Sequence, residues 1–234
     1  MAKRRPHILA LNGSPHRHGN TATLMGWVLD GCADAGAAVE WLHLVDCDIG
    51  YCRGCYGCLR TGTCAVKDDL EAVRARLLAA DGIVVGSPVY SDRPSAQIKT
   101  LMDRLALLAC YTDTFSHQRS LGVATSHGTS TGSVARELAD FFGQPSGWIG
   151  ATLREGKRAY EPLASLHDQK LPQQVGEAGS RLVGDVVSPP RLRLPGMSSL
   201  RKRFVLRYIT RPLVLRHPDQ FAAVIAAWKE KGWI

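Results

Sequence analysis

No stretch of this 234-residue sequence approaches the ~18 consecutive apolar residues of a membrane span, so no transmembrane helix is expected. The basic start, Met1-Ala-Lys-Arg-Arg-Pro-His7, runs straight into a strand-like segment without a small-residue cleavage site. That pattern speaks against a secretory signal, and the expectation is a cytoplasmic protein. Internal repeats and low-complexity segments are also lacking, which removes solenoids and fibrous arrays. No residue stands out as a general acid or a nucleophile, so no catalytic side chain is assigned. Acidic residues are missing from residues 186–216, which hold eight Lys+Arg. Elsewhere the signs balance, at 19 each in residues 1–185 and two each in residues 217–234, so the whole net charge of +8 lies in one segment.

Apolar residues make up 45% of the chain, enough for a sizeable core in one domain with an appendage. His7–Asn12 reads as a buried strand that stops at Gly13-Ser14-Pro15, and a helix follows from Asn20 with Leu24, Trp27, Val28 and Cys32 on one face. Further strands are expected at Val39–Val45, Gly82–Gly86, Ser120–Thr125 and Trp148–Leu153. Helices are expected after Asp68-Asp69 (stripe Leu70, Val73, Leu77, Leu78), over Ser95–Ala109, over Thr131–Phe142, and over Glu177–Val187 beyond a proline-broken stretch. Short strands alternating with helices predict an α/β fold with a five-stranded parallel sheet, doubly wound. In such a sheet the ligand crevice lies outside the carboxyl ends of the strands.

Cysteine concentrates in Cys52-Arg-Gly-Cys55-Tyr-Gly-Cys58-Leu-Arg-Thr-Gly-Thr-Cys64. Four thiols within thirteen residues converge only if the loop folds around something small and multivalent, and an iron–sulfur cluster is the leading candidate. Zinc is a rival, although the longer arm that separates its two knuckles is missing here. A disulfide pair and a loop of idle thiols stay open as well. Seven cysteines in a reducing compartment are more often ligands or catalytic groups than disulfide partners. Cys32 and Cys110 fall in apolar helical stretches and read as core thiols.

Three loops at the expected strand ends carry the other signals. Gly13-Ser14-Pro15-His16-Arg17-His18-Gly19-Asn20-Thr21 places hydroxyls and an amide at a helix start, where the dipole and free amides favour a phosphate. It is neither G-x-G-x-x-G nor a nucleotide P-loop. Gly86-Ser87-Pro88-Val89-Tyr90 continues to Ser95 and offers a stiff, flat surface for an aromatic ring. Ser126-His127-Gly128 would border the opposite side.

These motifs, with Ser95-Ala96-Gln97-Ile98-Lys99, make the sequence resemble the flavodoxin-like NAD(P)H-dependent FMN reductases over roughly residues 7–155. The four-cysteine loop narrows the resemblance to their iron–sulfur flavoprotein branch. The resemblance implies noncovalent FMN, with Ser14, His16, Asn20 and Thr21 on the phosphate, Pro88, Val89 and Tyr90 on the ring, and Ser126, His127 and Gly128 at its far edge. It implies a 4Fe–4S cluster on Cys52, Cys55, Cys58 and Cys64. Two departures stand out: relatives usually carry arginine where His16 stands, and His127 replaces paired glycines. The implied activity is an FMN-dependent oxidoreductase passing electrons from ferredoxin or NAD(P)H to a small acceptor. The alternatives are a cluster-free NAD(P)H-dependent FMN or quinone reductase, and a flavodoxin-fold binding or regulatory module with a structural Cys or zinc loop.

The expected layout is a flavodoxin-like domain over residues 1–185, with its cluster loop at 52–64, and a basic extension over 186–234. In that extension Arg203, Arg207 and Arg211 recur every four positions, as on one face of a helix. Homo-oligomers are common in the family, so a dimer or tetramer is expected. Nucleic acid is not expected as a partner.

Overall fold

The computed structural model describes residues 4–153, 170–189 and 205–234. The chain divides into two compact units, one of Met1–Asp48, Ala72–Lys99 and Phe115–Pro189, the other of Ile49–Glu71, Thr100–Thr114 and Pro190–Ile234.

The first unit is built on strands β1 (His7–Asn12), β2 (Ala38–His43), β3 (Gly82–Tyr90), β5 (Arg119–Ser126) and β6 (Gln144–Thr152), parallel and in the order β2-β1-β3-β5-β6. A two-residue strand β4 (Arg93–Pro94) folds back antiparallel on the end of β3. With β4 set aside, this is the flavodoxin-type order, in which winding reverses between β1 and β3. Ile8, Leu9, Ala10 and Leu11 are all fully buried, as are Ile83, Val84 and Val85. Strands covered on both faces read as continuous apolar runs, which is why the sequence exposes them.

Helix α1 (Asn20–Asp34) and helix α6 (Lys170–Val187) cover one face, packing Leu24, Met25, Val28, Cys32, Leu182 and Val183 against Ile8, Ala10, Val84, Leu121 and Val123. Burial pushes the Cys32 thiol up to about 12, so it behaves as an inert core group. Gly122 points to the opposite face, where a side chain would run into helix α5 (Thr131–Phe142).

Several boundaries differ from the sequence expectation. β3 continues through Tyr90, so Pro88-Val89-Tyr90 lies on a strand rather than in a loop. Its pairing with β1 ends at Asn12 opposite Gly86, and beyond that point one side of β3 no longer needs every N–H. α6 starts at Lys170, with Pro172 in its first turn, where the missing N–H costs nothing. Within helix α3 (Leu70–Ala79), Leu70, Val73 and Leu77 are buried while Leu78 is exposed.

The second unit is organised around the cysteine loop. Its short helix α2 (Gly57–Thr61) is closed by Gly62 at φ +77°. Leu59 of α2 joins Val214, Phe221, Val224 and Trp228 in a separate apolar core, flanked by Leu107 and Tyr111 of helix α4 (Ala96–Thr112). Val214 belongs to α7 (Arg211–Arg216); Val224 and Trp228 belong to α8 (Ala222–Glu230). Trp228 Nε1 donates to Tyr111 O (2.7 Å) and Lys231 Nζ to Thr112 O (2.6 Å), so α8 and the residue that follows it supply partners to the last carbonyls of α4. Cys110, expected in the core, is exposed because it shares a face of α4 with the exposed Asp103, two turns earlier. The basic stretch of residues 199–211 falls partly outside the described residues, and from Leu206 to Thr210 the chain is a π-helical turn. Among the described residues no helix is long and apolar enough to cross a membrane.

Candidate functional site

β1, β3 and β5 are neighbours in the sheet, so the loops that leave their carboxyl ends lie side by side. The turn after β1 is held by short local bonds. Asn12 Oδ1 accepts from the Ser14 amide (3.0 Å), and Ser14 Oγ accepts from the His16 amide (3.1 Å). Gly13 N donates to Gly86 O (2.8 Å), while Ser95 Oγ donates to Gly13 O (2.5 Å). Ser95 N in turn donates to Ser87 Oγ (2.8 Å), which ties the ends of β1 and β3 together. α1 then starts at Asn20, with Gly19 as an N-cap that has no side-chain cap bond and no acidic residue in the first turn.

The candidate residues fall into three groups by exposure. Ser14 and Thr21 are buried; Thr21 Oγ1 shares a hydrogen bond with Thr125 Oγ1 (2.7 Å), so that hydroxyl braces α1 against β5. Asn20, Pro88, Val89 and Ser126 are half-buried. His16, Tyr90, His127 and Gly128 are exposed, with the Gly128 amide donating to Ser126 Oγ (2.8 Å). Beyond Tyr90, Ser91 and Asp92 both take positive φ, +48° and +60°, and turn β3 into β4.

The structure adds His43, Asn12 and Asp46 to this end of the sheet. His43 closes β2 opposite Asn12, whose Nδ2 donates to His43 Nδ1 (3.1 Å), and its ring stacks on Trp41 at 5.2 Å. Burial first, and then the Arg17 guanidinium, hold the His43 pKa below its ordinary value, against the opposite pull of Asp46. A neutral ring is also what an Nδ1 acceptor requires. Arg17 pairs with Asp46 and lines a shallow pocket with Pro15, His16, His18, Gly19 and Val45. The signal in the sequence was position alone, since His43 ends a strand as Asn12 does. Another concavity, lined by Asp81, Gln118, Arg119 and Gln144, lies at the amino ends of the strands, away from all three loops.

In the second unit, Cys52 and Cys55 are exposed, Cys58 and Cys64 half-buried, and all seven cysteines of the chain are free thiols. Tyr56, between Cys55 and α2, sits at φ +57°, a conformation costly for an aromatic residue. Burial raises the Cys58 pKa first, and the charges of Cys64, Cys55 and Cys52 raise it further. Four cysteines within thirteen residues are, by their chemistry, a donor set that suits a cationic iron–sulfur core. Among the described residues no group of three His, Cys, Asp or Glu is arranged to hold a metal ion. Cys64 is the most constrained of the four: its amide donates to Glu71 Oε1 (2.9 Å) and its sulfur accepts from Arg104 Nη2 (3.3 Å). Arg104 in turn holds the Asp68 carboxyl below the usual carboxylate range.

The chain is similar to known proteins. An iron–sulfur flavoprotein of Methanocaldococcus jannaschii is 39% identical over 97 residues, covering 42% of this chain and 50% of that protein. One of Clostridioides difficile is 21% identical over 232 residues, covering 97% and 99%. The chain spans about half the length of the first curated relatives it matches. The NAD(P)H:quinone oxidoreductase of Methanothermobacter marburgensis superposes with a TM-score of 0.53 at 14% identity, over 79% of this chain and 98% of that one. A flavone reductase gives 0.57 at 14%, over 78% and 63%. At such identities the structural likeness establishes the fold. The profile described as NADPH-dependent FMN reductase matches residues 6–149, and the chain belongs to that family, among relatives that carry the name iron–sulfur flavoprotein.

Proposed function

We propose that the protein is an FMN-dependent oxidoreductase that also carries a 4Fe–4S cluster, and that it moves electrons from NAD(P)H or a reduced ferredoxin to a small acceptor such as a quinone, dioxygen or a peroxide. The observation that carries this reading is the alignment of three loops at the carboxyl ends of the adjacent strands β1, β3 and β5, inside the segment that matches the family. Bound FMN would supply two-electron exchange with one partner and single-electron exchange with another, and a cluster the single-electron side.

The chain's own residues then hold and orient. The uncapped start of α1 and the amides after Gly19 receive the phosphate, with Ser14, His16 and Asn20 around it. Thr21 contributes its backbone, because its hydroxyl is engaged by Thr125. Pro88 and Val89 form a stiff floor on the end of β3 and Tyr90 an exposed aromatic wall, with Ser126, His127 and Gly128 along the far edge. Cys52, Cys55, Cys58 and Cys64 hold the cluster; four thiols within thirteen residues support this assignment.

One observation favours a second reading, a cluster-free NAD(P)H-dependent FMN or quinone reductase: among the described residues no group of three His, Cys, Asp or Glu is arranged to hold a metal ion. Iron, acid-labile sulfide and FMN per chain, measured on anaerobically purified protein with visible spectra before and after dithionite, separate the two. About four irons, four sulfides and one FMN per chain are expected. FMN without iron after anaerobic reconstitution overturns the cluster, and protein that takes up no FMN overturns the whole reading.

A further inference from the structure

We propose that Arg104 is a positioning residue that sets the electron affinity of the cluster through a charge-assisted hydrogen bond to the Cys64 sulfur. The assignment rests on the reading above, that the four cysteines of the loop hold a cluster.

The Arg104 side chain is completely buried and Asp68 nearly so. Nη1 donates to Asp68 Oδ2 (2.7 Å) and to Gly50 O (2.6 Å); Nη2 donates to Asp68 Oδ1 (3.1 Å) and to Cys64 Sγ (3.3 Å). The two-pronged contact with Asp68 fixes the plane of the guanidinium, a fork that lysine cannot reproduce. Asp68 is fixed in its turn, because Oδ2 accepts from the Gly50 amide (3.0 Å) and Oδ1 from the Leu70 amide (3.1 Å). The fork can therefore swing neither toward nor away from the sulfur. Cys64 is pinned from its own backbone by Glu71.

Holding the loop closed would need only the bonds to Gly50 and Asp68. The fourth donor is aimed at sulfur, and it is the one that matters electronically. A thiolate that accepts an N–H bond donates less charge to its iron, and the reduced, more negative cluster gains more from that bond than the oxidised one. The potential therefore rises. Asp68 neutralises the guanidinium's formal charge, so the directed N–H dipole dominates over net charge. Cys52 and Cys55 are both exposed, whereas the Cys64 sulfur accepts from a buried guanidinium, and this asymmetry assigns the role to the Cys64 corner.

The test is a potentiometric titration of the cluster in the full-length holoprotein, with iron and FMN counted in each sample. Removing Arg104 alone would strand a buried carboxylate, so the main variant is the pair Arg104→Met with Asp68→Leu, which deletes both charges and keeps the apolar volume. Its cluster should reduce about tenfold less favourably than in the parent, a shift of about 59 mV to more negative potential for a one-electron couple. The flavin couple should stay where it was. Arg104→Lys should fall between the two. A double variant that loads iron fully and titrates at the parental potential overturns the proposal. Where the double variant fails to load, Arg104→Lys decides, a negative shift supporting the proposal and an unchanged potential overturning it. A parent protein that never takes up iron overturns the cluster reading itself, and this assignment with it.

Discussion

The loops at the carboxyl ends of the strands and the cysteine loop both present candidate functional side chains from short, glycine-bearing segments, yet they are held in different ways. The first set hangs from parallel ladders between strands that are buried on both faces, and its turns add local bonds such as Ser14 N to Asn12 and Gly13 N to Gly86. The second set pairs with no strand among the described residues. It is held by side chains: the Arg104–Asp68 pair, and the core in which Trp228 and Phe221 meet Leu59. Where stability is spread over many backbone bonds, a single change is absorbed. Where it is concentrated in a few side chains, one substitution should take the site with it.

The sharpest break in that comparison is Trp228→Ala. Trp228 is 1% exposed and also donates to Tyr111 O, so truncation should cost about 4 kcal/mol. The expected outcome is a protein that keeps FMN near the parental level while its iron content collapses, read by metal and flavin counts on the same sample. Equal loss of both would show that the two regions do not fail separately. The converse experiment is Gly122→Ala. Its new Cβ would sit 1.8 Å from the carbonyl oxygen of Ala135, so α5 must shift off the sheet at a cost of about 3 kcal/mol. Here FMN affinity should fall first.

Legibility follows the same division. Ile8–Leu11 and Ile83–Val85 announced themselves because a strand buried on both faces has no polar positions. The candidate loops after β1 and at the end of β3 were legible as punctuation at the ends of those runs. Proline misled twice, since Pro88 sits within β3 and Pro172 within the first turn of α6, both at places where no N–H is missed. In the second unit the local pattern says much less. Arg104 reads as a polar residue inside a helix, and its partners Asp68, Cys64 and Gly50 are 36, 40 and 54 positions away. No window of sequence contains that arrangement. Phe221, Val224 and Trp228 do share a helical face, but they lie in the segment over 186–234 that reads only as a basic extension, and their partner Leu59 is more than 150 positions away.

Asp68→Asn sharpens the comparison through pH. Arg104 is the main cause that holds the Asp68 carboxyl below its ordinary range, so folding releases protons from this group. Its contribution is fully present above the unfolded value of about 3.9 and is lost as pH falls through the lower folded value. Asparagine keeps the shape and one acceptor and loses the charge, at a cost of about 2 kcal/mol near neutrality. Denaturant unfolding of parent and variant should therefore differ by a constant amount from pH 7 to about pH 5 and converge in stronger acid. A gap that stays constant down to about pH 3 would mean that the pair contributes packing and no charge.

The smallest effect belongs to the ladder-held region, and its smallness is the point. Thr125→Val replaces a hydroxyl of similar volume, 4% exposed, and leaves Thr21 Oγ1 without its partner at 2.7 Å. The cost should be about 1 kcal/mol, from one buried hydroxyl left unpaired. α1 stays in place regardless, because Leu24, Met25 and Val28 remain packed against β1 and β3. FMN affinity should then change by less than about threefold, since ~0.6 kcal/mol of transmitted strain corresponds to that factor. A loss of FMN affinity of tenfold or more in T125V, at full retention of fold, would show that the Thr21–Thr125 contact positions the phosphate loop directly. The strand-end loops would then depend on single side chains as much as the cysteine loop does.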